Sequence, residues 1–302
     1  MRLCRYLPLL CLALAGAAQA APAFVTDIPF HDCKGMICIQ ARMDDGKPAT
    51  LIVDTGDATS MISLEAAKAH GWAVKPYVGR DGKPVDGLFD AGTHSVELGK
   101  LSQPVHFLAL PSRNQGSQGV FDANLVYRVF KDRVLQIDYP QRRLRISAVL
   151  AGTPTQAGAP GKLEIVNFHK WGPPIVVGSP FTIDGKTVRA QIDSAYTGTM
   201  LVYSTAIRPL GLGTLSKQGK SEFFPFTDGG VTMLAAPVKS EGFADRTLAG
   251  AGAVVYFPTP GVHEPENPFE ATVGNALFKD SVVTLDFHDM TLDVRPTAPS
   301  KS

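Results

Sequence analysis

The sequence has no excess of charge of either sign: 29 lysines and arginines stand against 28 aspartates and glutamates, for a formal net charge of +1. A chain this close to neutrality has no electrostatic footprint for nucleic acid or for an anionic membrane surface. Past the first twenty residues, no stretch is long and apolar enough to cross a bilayer. Several catalytic signatures are also missing. There is no Gly-x-Ser-x-Gly, and the seven histidines include no i, i+4 pair flanking a glutamate. Gly219-Lys220-Ser221 resembles the end of a phosphate loop, but position 214 is Thr where that loop needs Gly. What is present suffices for a core: 44% of residues are hydrophobic, which excludes a disordered chain. The 29 glycines and 23 prolines argue for short strands joined by many turns and against a helical bundle.

The first twenty residues read as a secretory leader. Arg2 and Arg5 make a basic start, and Leu7, Leu9, Leu10, Cys11, Leu12 and Leu14 make a short apolar run. Ala18-Gln19-Ala20 is a small-residue cleavage site before Ala21-Pro22. The alternative is an uncleaved anchor, against which the missing stop-transfer pattern speaks. Pro8-Leu9-Leu10 before Cys11 lacks the small residues of a lipid-attachment site. Removing the leader leaves 27 basic against 28 acidic side chains. The mature chain is expected to be soluble and exported, to a periplasm or the extracellular space.

Only Cys33 and Cys38 then remain, with four residues between them. In an oxidising compartment they can form a local disulfide, which closes a small loop and constrains little of the unfolded chain. His31 and Asp32 beside them raise a metal site as the alternative. Structural zinc needs about four ligands at recognisable spacing, and no second Cys/His pair exists. The disulfide is the preferred reading, and no metal is expected.

The chain also contains itself twice. Asp45-Gly46-Lys47 precedes Leu51-Ile52-Val53-Asp54-Thr55-Gly56, and Asp184-Gly185-Lys186 precedes Ala190-Gln191-Ile192-Asp193-Ser194-Ala195. Gly71 and Gly211 close the two segments, 17 and 18 residues beyond the aspartate. Phe30-His31 and Phe168-His169 recur upstream. At the far ends, Phe130-Lys131-Asp132-Arg133-Val134-Leu135-Gln136-Ile137-Asp138-Tyr139 reads like Phe278-Lys279-Asp280-Ser281-Val282-Val283-Thr284-Leu285-Asp286-Phe287. The offset is 139 residues at the front of the repeat and 148 at its back. Two similar lobes follow, 24–147 and 163–296, joined by a linker at 148–162 rich in Ala, Gly, Pro and Thr and followed by a polar tail at 297–302.

Within each lobe the pattern is β. Thr50 to Asp54, Val188 to Asp193, Val134 to Asp138 and Val282 to Asp286 are short strands. Each lobe carries one short helix: Ser63 caps Leu64 to His70, and Ser204 plays the same part before Pro209 and Gly211. The expected fold is all-β with minor α content.

One aspartate at a strand end is ordinarily a turn cap. Two, one per repeated lobe, can meet at a pseudo-two-fold axis. Carboxylates about 3 Å apart share one proton, so one can take a proton from water while the other donates to a carbonyl oxygen. At these residues the chain resembles the bilobal aspartic proteases, pepsin-like and retropepsin-like, over nearly the whole mature length. Leu51 to Gly56 carries the front motif, and Thr272-Val273-Gly274 is similar to the family's hydrophobic-hydrophobic-Gly segment. The resemblance implies two β lobes with a cleft between them and an endopeptidase with Asp54 and Asp193 as its catalytic pair. It implies that Thr55 and Ser194 hydrogen-bond across the lobe interface, with Gly56 and Ala195 completing the dyad turns. Three residues depart from the pattern. Ala195 replaces Gly, and its methyl crowds a tight turn, or forbids it where φ is positive. Asp57 puts a third carboxylate beside the pair. Asp122 follows Val120-Phe121 where the first lobe should have Gly.

Two hairpins are candidates for the flexible cover such a cleft has: Tyr77 to Val96, turning near Asp86-Gly87, and Glu222 to Leu234, turning at Asp228-Gly229-Gly230. No substrate-binding residue is assigned. His31 and His169 are read as strand-end hydrogen-bonding residues, Trp171 with Pro173-Pro174 as an apolar turn, and the Phe223-Phe224-Pro225-Phe226 run as core or flap packing. The expected function is an aspartic endopeptidase acting on a peptide or protein, monomeric and without cofactor. The alternative, favoured by Ala195, Asp57 and Asp122, is a catalytically silent module that binds peptide or a protein partner in the same cleft. A purely structural protein needs no carboxylate pair.

Overall fold

A computed structural model describes residues 23–111, 120–150, 160–168, 173–224, 231–259 and 267–297. The leader, most of the linker, His169, Trp171, Pro225, Phe226, the Asp228-Gly229-Gly230 turn and the end of the tail lie outside these residues. The described residues are mostly β-strand, arranged in two sheets. Among the described residues no helix is long and apolar enough to cross a membrane.

The eight-stranded sheet is built from residues 31–126 alone. The fifteen-stranded sheet takes in strands from both halves of the repeat. Phe24–Pro29, Val134–Asp138 and Arg143–Ser147 belong to the first half by sequence, yet they pair into the sheet of the second. The join is the antiparallel pairing of Val134–Asp138 with Ser281–Asp286. Here Gln136 faces Thr284, its own counterpart at the 148-residue offset, and Gln136 Nε2 donates to Thr284 Oγ1 at 3.2 Å. A residue facing its own copy is the mark of a two-fold axis. One continuous apolar cluster runs through both halves, from Ile37 and Leu51 to Phe181, Val273 and Leu292. The strand Gly161–Asn167 begins inside the segment expected as linker.

Each half repeats one supersecondary unit. Pro48–Asp54 runs parallel to Ala123–Val126, which is antiparallel to Ser60–Ser63. Lys186–Ile192 runs parallel to Ala271–Val273, which is antiparallel to Met200–Val202. These strands read as near-continuous apolar runs because they are buried on both faces. The register places Val126 opposite Asp54, so Val126 is the counterpart of Gly274. Asp122 therefore does not hold the glycine position. Its counterpart is Glu270, and the pair has a structural task. Asp122 Oδ2 accepts the Thr50 N–H at 2.8 Å, and Glu270 Oε2 accepts the Arg189 N–H at 2.7 Å. In each half this carboxylate fastens the aspartate-bearing strand at its open side.

Three local expectations change. Ser63 caps Leu64–Ala69 as read, its Oγ accepting the Ala66 N–H at 3.0 Å. In the second half Ser204 is the first residue of the helix Ser204–Ile207, and Tyr203 occupies the N-cap. The first hairpin, Lys75–Val78 with Pro84–Leu98, does not turn near Asp86-Gly87. It turns over Gly79 to Lys83, where Asp81 Oδ1 accepts the Lys83 N–H and Gly82 adopts φ +77°. Two Asp-Gly pairs compete there, and the one that leaves both flanking strands paired prevails. The second hairpin pairs Lys220–Phe224 with Val231–Pro237. Phe223 on it is 63% exposed, so it is not core.

Asp122→Ala leaves the half-buried Thr50 N–H without its partner. We expect a loss of about 1–3 kcal/mol, seen as a lower denaturant midpoint at unchanged m. A variant as stable as wild type would remove the strand-fastening role.

Candidate functional site

Thr55 and Ser194 stand at the same place in the repeat, and the two strand ends exchange hydrogen bonds there. Thr55 Oγ1 donates to the Ile192 carbonyl at 2.8 Å and accepts the Ser194 N–H at 3.1 Å. Ser194 Oγ donates to the Val53 carbonyl at 2.7 Å and accepts the Thr55 N–H at 3.0 Å. Both residues are buried. Residue i bonds to j, and j returns the bond to i, the pattern a two-fold axis imposes.

The crossed pair brings Asp54 and Asp193 together around Gly56. Asp54 Oδ1 accepts the Gly56 and Asp57 N–H groups, each at 3.1 Å. Asp193 Oδ1 accepts those of Ala195 at 2.8 Å and Tyr196 at 3.0 Å. A Cβ added to Gly56 would lie 2.3 Å from Asp193 Cγ, so the second carboxyl rests on the α-carbon of the first turn. Gly56 also accepts Gln191 Nε2 on its carbonyl at 2.8 Å. Glycine is required here by the neighbouring carboxyl and not by backbone conformation, because Gly56 is absent from the positive-φ residues. Ala195 also lies outside the positive-φ set, so the feared backbone conflict does not arise. Its methyl packs against the apolar cluster of Ile52, Phe121 and the two cysteines.

Cys33 and Cys38 are joined in a disulfide, so neither sulfur is free to serve as a thiolate ligand beside His31. The loop they close is part of the site's frame. Asn275 Nδ2 donates to the Gly35 carbonyl at 2.9 Å and to the Ser194 carbonyl at 2.7 Å, while its Oδ1 accepts the Tyr139 hydroxyl at 2.6 Å.

The surroundings of the two carboxyls differ. Asn124 Nδ2 donates to Asp54 Oδ2 at 2.9 Å. Its counterpart Thr272 instead donates to Gln191 Oε1 at 3.1 Å and bonds to the Tyr203 hydroxyl at 2.7 Å. Asn124, Gln191, Asn275 and Tyr139 all escaped the reading of the sequence. The alignment of Asn124 with Thr272 in the repeat was the one available signal, since both are polar in otherwise apolar strands.

Electrostatics at the site follow from burial. Asp54 is held well above the ordinary carboxylate range, first by burial and then by the charges of Asp193 and Asp57, against the donors Asn124 and Gly56. Asp193 is pushed up to about 6, again first by burial, with the Ala195 and Tyr196 N–H groups opposing and Asp57 adding. Asp57 is itself raised by burial, although its carboxylate accepts the Ala58 and Thr59 N–H groups. Two neighbouring buried carboxyls hold a proton to higher pH than isolated ones would. That leaves one group able to accept a proton beside another able to donate one.

The chain matches no known family model and no curated protein.

Raised carboxyl pKa values fix the sign of a stability change. Between the ordinary carboxylate value and the raised one, the folded state binds more protons than the unfolded chain, so stability falls as pH rises. The dyad's contribution should be fully present at pH below about 4, then be lost as pH passes the Asp193 value of about 6 and beyond. Urea midpoints from pH 4 to 8, compared with an Asp54→Asn/Asp193→Asn double variant, isolate this slope. The difference should favour wild type most at low pH, and a difference that grows with pH would contradict the assignment. Reduction of the disulfide should cost about 2 kcal/mol on the chain-entropy account of so short a loop. Alkylation of the folded protein without reductant should leave both sulfurs unlabelled.

Proposed function

We propose that the protein is an aspartic endopeptidase, with two β lobes placing one carboxyl each in the cleft between them. The crossed Thr55–Ser194 bonds carry this reading, because they hold two buried, proton-sharing carboxyls in one place. In the proposed reaction the ionised member takes a proton from water, whose oxygen attacks the peptide carbonyl carbon. The protonated member donates to the carbonyl oxygen. Collapse of the tetrahedral species breaks the C–N bond, and the departing nitrogen takes up a proton from the dyad. Asn124 and the four turn N–H groups orient the carboxyls throughout. The leader pattern and the Cys33–Cys38 disulfide support action outside the cytoplasm.

Asp57 supports the second reading, a peptide-binding module without turnover, since its charge makes ionisation of the pair harder. A pH–rate profile on an unfolded protein substrate separates the two. Under the endopeptidase reading, wild type cleaves at acid pH, and Asp54→Asn or Asp193→Asn lowers kcat by about 10³-fold or more. Asp57→Ser removes a like charge and shifts the upper limb of the profile towards acid. Gly56→Ala displaces the Asp193 carboxyl and should abolish turnover, whereas Ala195→Gly should retain it. Peptide binding without cleavage by wild type, Ala195→Gly and Asp57→Ser alike would decide for the silent module.

A further inference from the structure

The two halves match at the carboxyls but not beside them. The register that equates Val126 with Gly274 also equates Leu108 with Tyr256, because Met61 faces Leu108 as Leu201 faces Tyr256. In the first half these elements wall an open cavity of about 320 Å³, bordered by Val126, which pairs with Asp54, and by Ala58 to Ser60, which follow that aspartate in the chain. Leu108, Val126 and Val129 give it apolar walls, Tyr77 reaches in from the hairpin, and His106 and Arg128 lie towards solvent. That volume is at the lower end of small-ligand pockets and suits one large side chain.

In the second half the same space is filled by the chain itself. Tyr196, three residues past Asp193, is only 4% exposed. A Cβ at Gly274 would come within 2.6 Å of its Cδ1, and one at Gly198 within 2.3 Å of its hydroxyl oxygen. The ring therefore lies against the backbone of both glycines, in the place that Val126 borders as open space in the first half. Burial above all, and then the charges of Tyr256, Asp193, Glu241 and Tyr203, hold its hydroxyl proton more tightly than usual.

We infer that the site selects one large apolar side chain on the Asp54 side of the scissile bond and admits only a small side chain on the Asp193 side, where Tyr196 occupies the room. The inference rests on the endopeptidase reading. A second large side chain would have to expel a buried aromatic ring from its packing, whereas glycine, alanine or serine leaves it in place.

The test is a peptide library randomised at the two residues flanking the scissile bond, with cut sites read by mass spectrometry. Wild type should select Phe, Leu, Met or Tyr at one of the two positions and Gly, Ala or Ser at the other. A second large residue should lower kcat/KM at least tenfold. Tyr196→Ala should raise the large-to-small ratio at the restricted position by tenfold or more and leave the other preference unchanged. Val129→Phe, which fills the open cavity, should weaken selection at the permissive position alone, and it keeps the test sharp if Tyr196→Ala does not fold. Large residues accepted equally on both sides by wild type would overturn the inference and leave the hydrolase standing. No cleavage of any member would overturn the hydrolase reading, and the inference with it.

Discussion

Four hydrogen bonds between two short strand ends hold the centre of this protein. Thr55 and Ser194 each give a hydroxyl proton to the other strand's carbonyl and take the other's N–H. Each bond is worth only about 1 kcal/mol net, but leaving any of these buried groups unpaired would cost more. The exchange is therefore satisfied as a set, and it leaves the two strands one geometry. That geometry seats the Asp193 carboxyl on Gly56 and near enough to Asp54 for its charge to act there. The cost of burying two like groups is offset by turn N–H donors on both sides, by Asn124 on one side, and by retention of a proton.

Around this centre the symmetry is partial, and the departures share a logic. Gly56 must be glycine because the Asp193 carboxyl lies on it, while Ala195 finds room for its methyl beside the disulfide cluster. Asp57 and Tyr196 stand at equivalent places after the two aspartates. The first keeps its carboxylate on its own turn, and the second swings an aromatic ring over two glycines. One half thus contributes an open wall and the other a closed one. The asymmetry lies away from the join of Val134–Asp138 with Ser281–Asp286, where Gln136 still faces Thr284.

Some of this was readable in advance, and the reasons it was or was not are local. The paired motifs at Asp54 and Asp193 were visible because duplication preserves order and spacing. The strands were visible because residues buried on both faces leave long apolar runs. Asp122 does not stand at the glycine position because the register sets Val126, four residues on, opposite Asp54. Register depends on which strands pair, and a single strand's composition does not contain it. The hairpin turn was misplaced by five residues because two Asp-Gly pairs have equal local preference, and only strand pairing distinguishes them. Asn124 was missed because one polar residue in a strand has no signature until its neighbour across the sheet is known.

The sequence by itself determined that the chain is a duplicated β protein, which residues are counterparts, and which two carboxylates were worth attention. All of these are properties of order along the chain. Only the tertiary structure decided that the outer strands of the first half would join the sheet of the second. It also decided that Gly56 would bear the facing carboxyl, and that one of two equivalent spaces would be filled by Tyr196. The first two depend on contacts between residues more than a hundred apart, and the third on the packing of Tyr196 against Gly274, 78 residues further on. They are set by packing and hydrogen-bond satisfaction across the axis, to which local propensity and motif spacing are blind.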